Sequence, residues 1–521
     1  MIPVLTSEQM QGVDTYTIER LGLPGAVLME SAGRAVADSI RRFPATAGCN
    51  APVVFCGRGN NGGDGFVVAR CLIDNCAAGW PKVILAGRLE SLSGDAALMA
   101  SSAVNFGVEV TELTDSDLSP LADVLDGCDL VVDGLLGSGA SGSPRGLVDL
   151  IIAEVNERSL PVVAIDSPTG VEMDSGAVPG SCLAADLTVT FGCEKPGHRF
   201  FPGLECCGEV VCADIGFPRQ AVEQADCGLF ICESDDVAGL LPARKAFSNK
   251  GDYGKLLVIG GSTGLTGAPA MSSMAAMSAG AGMVTAAVPE SLNQIFEIKL
   301  TEVMTLPLPD DGRGSFTPLA VEPVARFIAD GMDVVALGPG IGRDMQTVEF
   351  IRQLAPCVNV PVVLDADGLN AFTAEAQALS AFAGPLVLTP HPGEMARLLG
   401  VSTKNVLDSP LEAAQQLSSL SGAVVLLKGP PTVICSNNSP SVISPTGCSA
   451  LAKAGTGDVL TGAIAALIAQ GMEAFEAAYC GAYLHGLAGE LAAEAFGQYS
   501  VIATQLNRAL PEAIRTVLGE G

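Results

Sequence analysis

Residues 51–70 read APVVFCGRGNNGGDGFVVAR, and this stretch decides the fold of the first half of the chain. The apolar run at its start predicts a buried β-strand, and an apolar pattern resumes after the polar segment, as a helix requires. The glycines between them let backbone N–H groups converge, and the positive end of the helix adds to their effect. The stretch therefore predicts a strand, a turn suited to phosphate and a helix. The alternative is a tight turn in which Asn60, Asn61 and Asp64 act only as helix caps.

Strand-like and helix-like segments alternate on both sides of this stretch. Strands of continuous Val, Ile and Leu that are separated by helices indicate a parallel sheet covered on both faces. The pattern loosens near residues 205–250 and then restarts, so we expect an α/β fold with two domains, 1–220 and 241–521, and a linker at 221–240. The predicted strands are APVVFC, KVILAG, DLVVDGLL, LPVVAID and DLTVTFG in the first domain, and KLLVIGG, MVTAAVP, DVVALGPG, VPVVLDADGLN, GPLVLTPH and AVVLLKGPPTVI in the second.

The composition excludes several classes of protein. The chain has 521 residues and a formal net charge of -29 without a Lys/Arg cluster, so we do not expect it to bind nucleic acid. Its 16 cysteines form no CxxC pair and only three histidines are present, which favours reduced structural thiols over disulfides or a zinc site.

Neither the start of the chain nor its longest uncharged run predicts a membrane segment. MIPVLTSEQM lacks the basic and apolar parts of a secretory signal. Residues 256–289 carry no charge but are rich in Gly, Ser, Ala and Thr, which favours a soluble site loop over a membrane helix. We expect a cytoplasmic protein that binds no membrane and forms a homo-oligomer.

Two further strand ends in the first domain carry polar residues. DLVVDGLLGSGASG places Asp133 at a strand end before a second Gly/Ser loop, and LPVVAIDSPTG places Asp166 and Thr169 after another strand. Ligands of parallel sheets collect at these ends, where carboxylate, amide and hydroxyl oxygens can hold a cation and Asp166 can act as an acid or base. GSGASG also matches GxGxxG, but it comes late in the domain and Pro144 follows it, which argues against a conventional dinucleotide fingerprint.

The strongest signal in the second domain is AKAGTGDVLTGAIAALIAQG. Gly455, Thr456 and Gly457 precede an apolar helix, so their N–H groups and the helix dipole can neutralise a developing phosphoryl charge. Asp458 lies in the predicted first turn, where it can take a proton from a substrate hydroxyl. The alternative is an Asp that only caps a helix after a glycine turn.

Other motifs of the second domain allow two readings each. LLKGPPTVI offers Lys428 and Thr432 to nucleotide phosphates or forms a simple turn, and TPHPGEM places His391 and Glu394 after a strand, where a histidine can also be structural. VIGGSTG matches the GxSxG of hydrolases at Ser262, but the glycine-rich LTGAPA after it argues against the tight turn that this chemistry needs. The chain has no Walker A motif, so a P-loop ATPase is not supported.

In chain order, LMESAGRAVA, GRGNNGGDGFVVAR, VVDGLLGSG, IDSPTGVEMDSG and FGCEKPGHRFFPG resemble the N-terminal domain of the NAD(P)H-hydrate epimerases, over about the first 220 residues. The resemblance implies a Rossmann-like three-layer αβα sandwich with a potassium ion. The implied potassium ligands are Asn61, Asp133 and Thr169. The implied contacts to the hydrated nucleotide are Asn60, Asn61, Gly62, Gly63, Asp64, Gly137, Ser138, Gly139, Ala140, Ser141, Gly142, Ser143 and Asp166.

The motifs GSTGLTGA, GPG, DADGLN, HPGE, KGPPT and AGTGD resemble the ADP-dependent NAD(P)H-hydrate dehydratases, which are built like ribokinases, over about residues 240–515. This resemblance implies a ribokinase-like αβα domain that uses ADP with magnesium, and Asp458 at the reacting hydroxyl. The implied contacts are Ala268, Gly340, His391 and Asp458 to the hydrate, and Lys428, Gly429, Pro430, Pro431, Thr432 and Gly457 to ADP.

As a whole, the chain resembles the fused bifunctional enzymes that repair hydrated NADH and NADPH. The resemblance implies that the first domain interconverts the R and S hydrates. The second would use ADP to convert the S hydrate to NAD(P)H, with release of AMP and phosphate. The alternative is a ribokinase-like vitamin or sugar kinase whose first domain is a nucleotide-binding scaffold, because a shared fold does not separate these chemistries.

Overall fold

The computed structural model describes residues 1–73, 81–114 and 119–520. The chain forms two compact units, Pro3–Gly228 and Leu229–Gly521, and the second also contains Met1–Ile2. We call them the N-terminal and C-terminal units. Each has a mainly parallel sheet with helices, so the predicted α/β class with two domains is confirmed.

The N-terminal unit contains one parallel sheet of seven strands. These are β2 (Pro52–Cys56), β3 (Lys82–Ala86), β4 (Glu109–Leu113), β5 (Leu130–Gly134), β6 (Val162–Ile165), β7 (Leu187–Phe191) and β8 (Glu209–Ala213). Their order is β4-β3-β2-β5-β6-β7-β8, and every neighbouring pair is parallel. Since the chain runs outward from β2 to β4 and then returns to β5, the sheet has a topological switch point between β2 and β5.

Both faces of this sheet are buried, because its strands alternate between two apolar cores. Val54 and Cys56 of β2 face a core with α2, α3 and α4, whereas Val53 and Phe55 face a core with α5 and α6. The helices of the unit are α1 (Ser7–Thr15), α2 (Gly25–Arg42), α3 (Asn60–Leu72), α4 (Gly94–Asn105), α5 (Ser119–Asp126), α6 (Leu147–Asn156), α7 (Gly203–Cys207) and α8 (Arg219–Glu223). This arrangement is the three-layer sandwich that the sequence predicts.

The turn after β2 is shorter than the sequence predicts. We expected RGNNGGDG to form the turn, but α3 begins at Asn60, so only residues 57–59 connect the strand to the helix. A Cβ atom on Gly62 would lie 1.9 Å from the carbonyl oxygen of Gly57. Glycine is required there because the first turn of α3 passes directly over the end of β2.

The C-terminal unit is built on a larger, mixed sheet. The sheet order is β1-β9-β18-β17-β16-β15-β14-β13-β10-β11-β12; the strands from β10 to β16 pair in parallel, and β17 is antiparallel to both of its neighbours. A second switch point lies at β10, which pairs with both β11 and β13. The strands are β1 (Ile2–Val4), β9 (Leu229–Ile231), β10 (Lys255–Ile259), β11 (Met283–Pro289), β12 (Met304–Leu308), β13 (Val334–Leu337), β14 (Val362–Leu364), β15 (Leu386–Leu388), β16 (Val424–Leu427), β17 (Thr432–Ser436) and β18 (Ser439–Ser444).

Small-residue helices cover one face of this sheet. Ala276 of α10, Ala463 of α18 and Ala482 of α19 share a core with Leu256 and Val258 of β10. The helices are α9 (Ser234–Leu240), α10 (Gly267–Ser278), α11 (Asn293–Lys299), α12 (Val321–Ala329), α13 (Met345–Leu354), α14 (Asp367–Asn370), α15 (Pro392–Leu399), α16 (Thr403–Asp408), α17 (Pro410–Ser421), α18 (Thr456–Ala469), α19 (Ala474–Phe496) and α20 (Ala503–Val517).

Two expectations from the sequence have different outcomes here. Residues 221–240, predicted as a linker, carry regular structure, since β9 pairs with β18 and α9 follows it in the C-terminal unit. The uncharged run at 256–289 does form a strand, a glycine-rich loop, a helix and a strand. Within the described part of the chain, no helix has the length and apolar character needed to cross a membrane.

Candidate active sites of the two units

A cavity of about 890 Å³ opens at the switch point of the N-terminal unit. Its wall includes residues that follow β2, β5 and β6, as expected for a ligand site at the carboxyl ends of parallel strands. The cavity brings together eight of the residues implied for the hydrated nucleotide, which are Asn60, Asn61, Asp64, Gly137, Ser138, Gly139, Ala140 and Asp166.

The other implied nucleotide contacts do not line this cavity. Gly62 packs on the backbone of Gly57, and a Cβ atom on Gly63 would lie 2.6 Å from the sulfur of Met29, so both glycines let α3 pack closely. The remaining three, Ser141, Gly142 and Ser143, lie on the exposed part of the second loop.

Asp166, directly after β6, forms a buried ion pair with Lys195. The Lys195 Nζ lies 2.6 Å from Asp166 Oδ1 and 2.7 Å from the Thr190 hydroxyl, which donates to the same carboxylate oxygen at 2.9 Å. The side chain of Lys195 is 2% exposed and that of Asp166 is 14% exposed. Burial raises the pKa of Asp166, but the Lys195 ammonium outweighs this effect and holds the pKa well below its usual range. Asp166 is therefore ionised.

His198 holds the backbone of the same aspartate. The backbone N–H of Lys195 donates to His198 Nδ1 at 3.0 Å, so the ring proton is on Nε2, which donates to the carbonyl oxygen of Asp166 at 3.0 Å. Burial and the nearby Lys195 lower the pKa of His198 to about 3, so the imidazole is neutral. Asp166 has a φ of 63°, an uncommon conformation for a residue other than glycine, and these contacts fix it.

Asp64 lines the same cavity, and its pKa is shifted in the opposite direction. Burial, together with the nearby carboxylates of Asp166 and Asp14, raises the pKa of Asp64 well above its usual range. Two carboxyl groups of one cavity, with pKa values that the environment drives apart, form an arrangement in which one accepts and the other donates a proton. The cavity thus combines an ionised carboxylate beside an ammonium with a second carboxyl group whose pKa is raised.

The three implied potassium ligands meet at the ends of β5, β6 and the start of α3. Asp133 is fully buried and accepts hydrogen bonds from the backbone N–H and hydroxyl of Thr169, both at 2.7 Å, and from Leu135 N at 3.2 Å. Asn61 Nδ2 donates to the carbonyl oxygen of Leu136 at 2.9 Å. Burial raises the pKa of Asp133 to about 6, because these neutral donors do not compensate for lost hydration. A buried carboxylate among amide, hydroxyl and carbonyl oxygens fits a hard cation such as potassium.

The GTGD segment of the C-terminal unit starts α18, as the sequence predicts. Gly455 precedes the helix with a φ of 94°, and Asp458 lies in the first turn. Burial and the nearby carboxylate of Asp365 raise the pKa of Asp458 to about 7. The Ser272 hydroxyl on α10 donates to the carbonyl oxygen of Asp458 at 2.8 Å, which fixes this turn. The segment therefore presents free helix N–H groups beside a carboxyl group that titrates near neutral pH.

A second ion pair, between a buried aspartate and a lysine that is 22% exposed, lies next to this segment. Lys428 Nζ is 2.8 Å from Asp365 Oδ1 and 4.0 Å from Glu394 Oε2, and the Thr461 hydroxyl donates to Asp365 Oδ2 at 2.7 Å. Burial lowers the pKa of Lys428, but the two carboxylates outweigh this effect and raise it, so the ammonium stays charged. A Cβ atom on Gly457 would lie 3.3 Å from Lys428 Nζ, which shows how closely the segment and the ion pair approach.

The loops around Ala268 and Gly340 are also neighbours. A Cβ atom on Gly340 would lie 3.1 Å from that of Ala268, and the Ser262 hydroxyl donates to the carbonyl oxygen of Gly340 at 2.9 Å. His485 donates from Nε2 to the carbonyl oxygen of Thr456 at 2.9 Å, and burial lowers its pKa to about 4. Ser262 and His485 are thus bonded to backbone, which agrees with setting aside the hydrolase motif.

His391 serves as a helix cap. Its Nδ1 accepts from the backbone N–H of Gly393 at 3.0 Å at the start of α15, and Glu394 accepts from the His391 backbone N–H at 2.9 Å. Lys428 N donates to Pro390 O at 2.8 Å, which joins this loop to the turn after β16. That turn contains three of the other implied ADP contacts, Gly429, Pro430 and Pro431, and Thr432 begins β17 directly after it.

Sequence reasoning missed three charged or polar residues of these sites, Lys195, His198 and Asp365. Lys195 and His198 stand in FGCEKPGHRFFPG, the segment after β7, and Asp365 stands in LDADGLN after β14. Each of the three follows the carboxyl end of a buried strand, which is the end of its sheet where the site lies. That position was the available signal, but only the fold pairs them with Asp166 and Lys428.

Two family models match the chain, one in each unit. A family model described as YjeF-related protein N-terminus matches residues 25–197, and a model described as NAD(P)H-hydrate dehydratase matches residues 256–512. A solved structure of the ADP/ATP-dependent NAD(P)H-hydrate dehydratase from Bacillus subtilis, co-crystallized with ATP and magnesium, is 28% identical over 55% of this chain and 98% of that chain, with a TM-score of 0.47.

Relatives of full length contain both parts in the same order. The bifunctional NAD(P)H-hydrate repair enzyme Nnr of Moorella thermoacetica is 41% identical over 99% of this chain and 97% of its own length. The enzyme of the same name from Salinibacter ruber is 38% identical over 100% of this chain and 97% of its own length. The chain therefore belongs to the family of the bifunctional NAD(P)H-hydrate repair enzymes.

Proposed function

We propose that this chain repairs hydrated NADH and NADPH with one active site in each unit. The N-terminal unit interconverts the R and S hydrates, and the C-terminal unit uses ADP to convert the S hydrate to NADH or NADPH. The observation that carries the proposal is Asp458, a carboxyl group with a pKa of about 7 in the first turn of α18, beside the Lys428–Asp365 ion pair. Membership of the family supports both activities.

In the C-terminal unit, Asp458 accepts the proton of the ring hydroxyl of the S hydrate. The oxygen then attacks the terminal phosphorus of ADP, and AMP leaves. The phosphate ester next eliminates inorganic phosphate as the adjacent ring carbon loses a proton, which restores the reduced nicotinamide. The N–H groups at Gly457 and the first turn of α18 stabilise the charge that develops on the transferred phosphoryl group. The Lys428 ammonium lies next to these N–H groups and adds its positive charge to the same stabilisation.

Magnesium belongs to this proposal as a companion of the nucleotide. Groups of three or more His, Cys, Asp or Glu side chains that could hold a metal are absent from the described residues. Magnesium usually keeps its waters and binds substrate phosphates with few protein ligands, so this donor set fits an ion that arrives with ADP. When bound, it would lower the charge of the phosphates.

In the N-terminal unit, the cavity at the switch point binds the hydrated dinucleotide. Its phosphates meet the N–H groups of the glycine loops and the start of α3. Asp166 accepts the proton of the ring hydroxyl and Asp64 donates a proton to the ring nitrogen as the bond between that nitrogen and the hydrated carbon breaks. The carbonyl group that forms turns, and the reverse steps close the ring on its other face, while Lys195 keeps Asp166 ionised and oriented. Asn61, Asp133 and Thr169 would hold potassium, which adds positive charge beside the polyanionic substrate.

A turnover assay on separated R and S hydrates tests the function. With ADP or ATP present, we expect the absorbance of NADH to return from both hydrates, and from the R hydrate only through the S form. No recovery with either nucleotide contradicts the proposal. Stable phosphorylation of a vitamin or sugar, without elimination, would favour the kinase alternative.

The pH dependence of S-hydrate repair should follow the ionisation of Asp458. Because Asp458 must be ionised to accept a proton, kcat/KM for the S hydrate should fall about tenfold per pH unit below pH 7. Asp365→Asn removes the carboxylate that raises the pKa of Asp458, and it also frees the Lys428 ammonium from its partner. The acid limb of the pH profile, which is the fall of kcat/KM at low pH, should therefore move to lower pH. Asp333→Asn, at the start of β13, is the control and should leave the limb in place. An unchanged limb in Asp365→Asn contradicts the assignment.

Potassium should stabilise the protein most above pH 6. Since burial raises the pKa of Asp133 to about 6, the folded protein loses stability as pH rises from the pKa of an exposed Asp, about 4, to that value. A cation restores this loss only when the carboxylate is ionised. We expect potassium chloride to raise the melting temperature over choline chloride at pH 8 but little at pH 5, and Asp133→Asn to lose the difference. Equal melting in both salts at pH 8 would count against the site.

A further inference from the structure

Two cysteines of the N-terminal unit lie against each other outside the residues assigned to catalysis. The Sγ atoms of Cys182 and Cys206 are 3.4 Å apart, although the residues are 24 positions apart in the sequence. Both are free thiols and both are half-buried, so a small reagent can reach them. A disulfide bond measures about 2 Å, so the two sulfur atoms are already close to bonding distance.

The fold fixes the backbone on both sides of this pair. Cys182 follows the loop of Asp166, and the next residue, Leu183, donates its N–H to the carbonyl oxygen of Thr169 at 2.9 Å. Cys206 lies on α7, where its carbonyl oxygen accepts from Ala185 N at 2.8 Å. The two sulfur atoms therefore meet because of main-chain contacts, and their proximity does not depend on a flexible surface loop.

We propose that Cys182 and Cys206 form a thiol–disulfide exchange site, which closes to an intramolecular disulfide in the presence of an oxidised low-molecular-weight thiol such as glutathione disulfide. The Cys182 thiolate attacks one sulfur of the reagent, which forms a mixed disulfide and releases one thiolate. The Cys206 thiol then loses its proton and attacks Cys182 Sγ, which releases the second reagent thiolate. The protein loses two electrons and two protons, and the reagent is reduced to two thiols.

The environment of the pair selects the attacking residue. The hydrogen bond between the two thiols outweighs burial and lowers the pKa of Cys182 to about 7, so part of this thiol is ionised at neutral pH. The neighbouring Cys207 is fully buried and directs its thiol to the carbonyl oxygen of Gly197 at 3.9 Å. Cys206 is thus the resolving residue, and Cys207 is not.

The disulfide would tie the loop that follows Asp166 and Thr169 to helix α7, which follows Lys195 and His198. Its formation moves none of those four side chains, since it joins elements that are already in contact. We therefore expect it to stabilise the N-terminal unit by restricting the unfolded chain. The redox state of the surroundings would then set the stability of this unit.

The test uses the full chain, reduced and then incubated with glutathione disulfide at pH 8. Mass spectrometry without reduction should show the loss of two hydrogens and a cross-linked peptide pair that contains Cys182 and Cys206. Calorimetry should show a transition raised by about 5 °C or more, reversed by dithiothreitol. Glutathione adducts alone, a link to Cys207, or unchanged masses would overturn the proposal.

Matched variants separate this pair from the other thiols. In Cys206→Ser, Cys182 should keep glutathione as a mixed disulfide, and the rise in melting temperature should disappear. Cys357→Ser removes an exposed thiol of the C-terminal unit and should oxidise like the parent protein. If Cys206→Ser still gains stability on oxidation, another pair is responsible and the assignment is wrong.

Discussion

Replacing Asp458 with Asn is expected to lower the rate of ADP-dependent repair of the S hydrate by about 10²–10⁴-fold, because the amide cannot accept the proton of the ring hydroxyl. The substitution keeps the size of the side chain and removes a carboxylate whose pKa burial and Asp365 raise to about 7, so the fold should tolerate it. Binding of ADP should be retained. The measurement is the initial rate of NADH formation from purified S hydrate at pH 8.

Two controls accompany this variant. Asp408→Asn removes an exposed carboxylate that pairs with Lys404 at 3.0 Å on α16, and it should repair the S hydrate at the parent rate. Epimerisation by Asp458→Asn should also stay at the parent rate, since its site belongs to the other unit. A normal rate of S-hydrate repair by Asp458→Asn would show that Asp458 is not the proton acceptor and that it only caps the helix.

The buried central strands and the loops at their ends could be predicted from the sequence, because each signal is local, whereas the half-exposed edge strands β4, β8 and β12 were missed because they lack a continuous apolar run. An apolar run such as PVVFC is buried on both faces, and its glycine-rich successor marks the strand end. The placement of Asp458 in the first turn of α18 follows from the glycines before it in the same way. The chain order of such segments gives the α/β class without any knowledge of which strands pair.

The pairings across the sheet could not be predicted in this way. Lys195 reaches Asp166 from the end of β7, and Lys428 reaches Asp365 from the end of β16, so each contact requires the strand order. The glycines at 62 and 63 have a packing role that the sequence does not reveal, since Gly62 packs on the Gly57 carbonyl and Gly63 on Met29, and their contact with the nucleotide stays a prediction. Close packing and phosphate binding both select glycine, and a sequence does not distinguish the two causes.

Replacing Asp166 with Asn is expected to slow the interconversion of the R and S hydrates by about 10²-fold or more, because the cavity loses its ionised proton acceptor. S-hydrate repair by the C-terminal unit should be unchanged. With a mixture of both hydrates and excess ADP, the parent protein should convert the whole mixture to NADH. The variant should stop when the S fraction is consumed, and the final absorbance measures this directly.

The same substitution leaves the Lys195 ammonium buried without its carboxylate, so lost stability has to be separated from lost chemistry. Removing one partner of a buried ion pair costs about 3–5 kcal/mol, whereas removing both costs less. Asp166→Asn combined with Lys195→Met should therefore melt at a higher temperature than Asp166→Asn alone, and it should remain without epimerase activity. Asp126→Asn, which removes an exposed carboxylate 3.3 Å from Arg158, should retain both stability and epimerisation. If activity returns together with stability in the double variant, the ion pair is structural and another group of the cavity takes the proton.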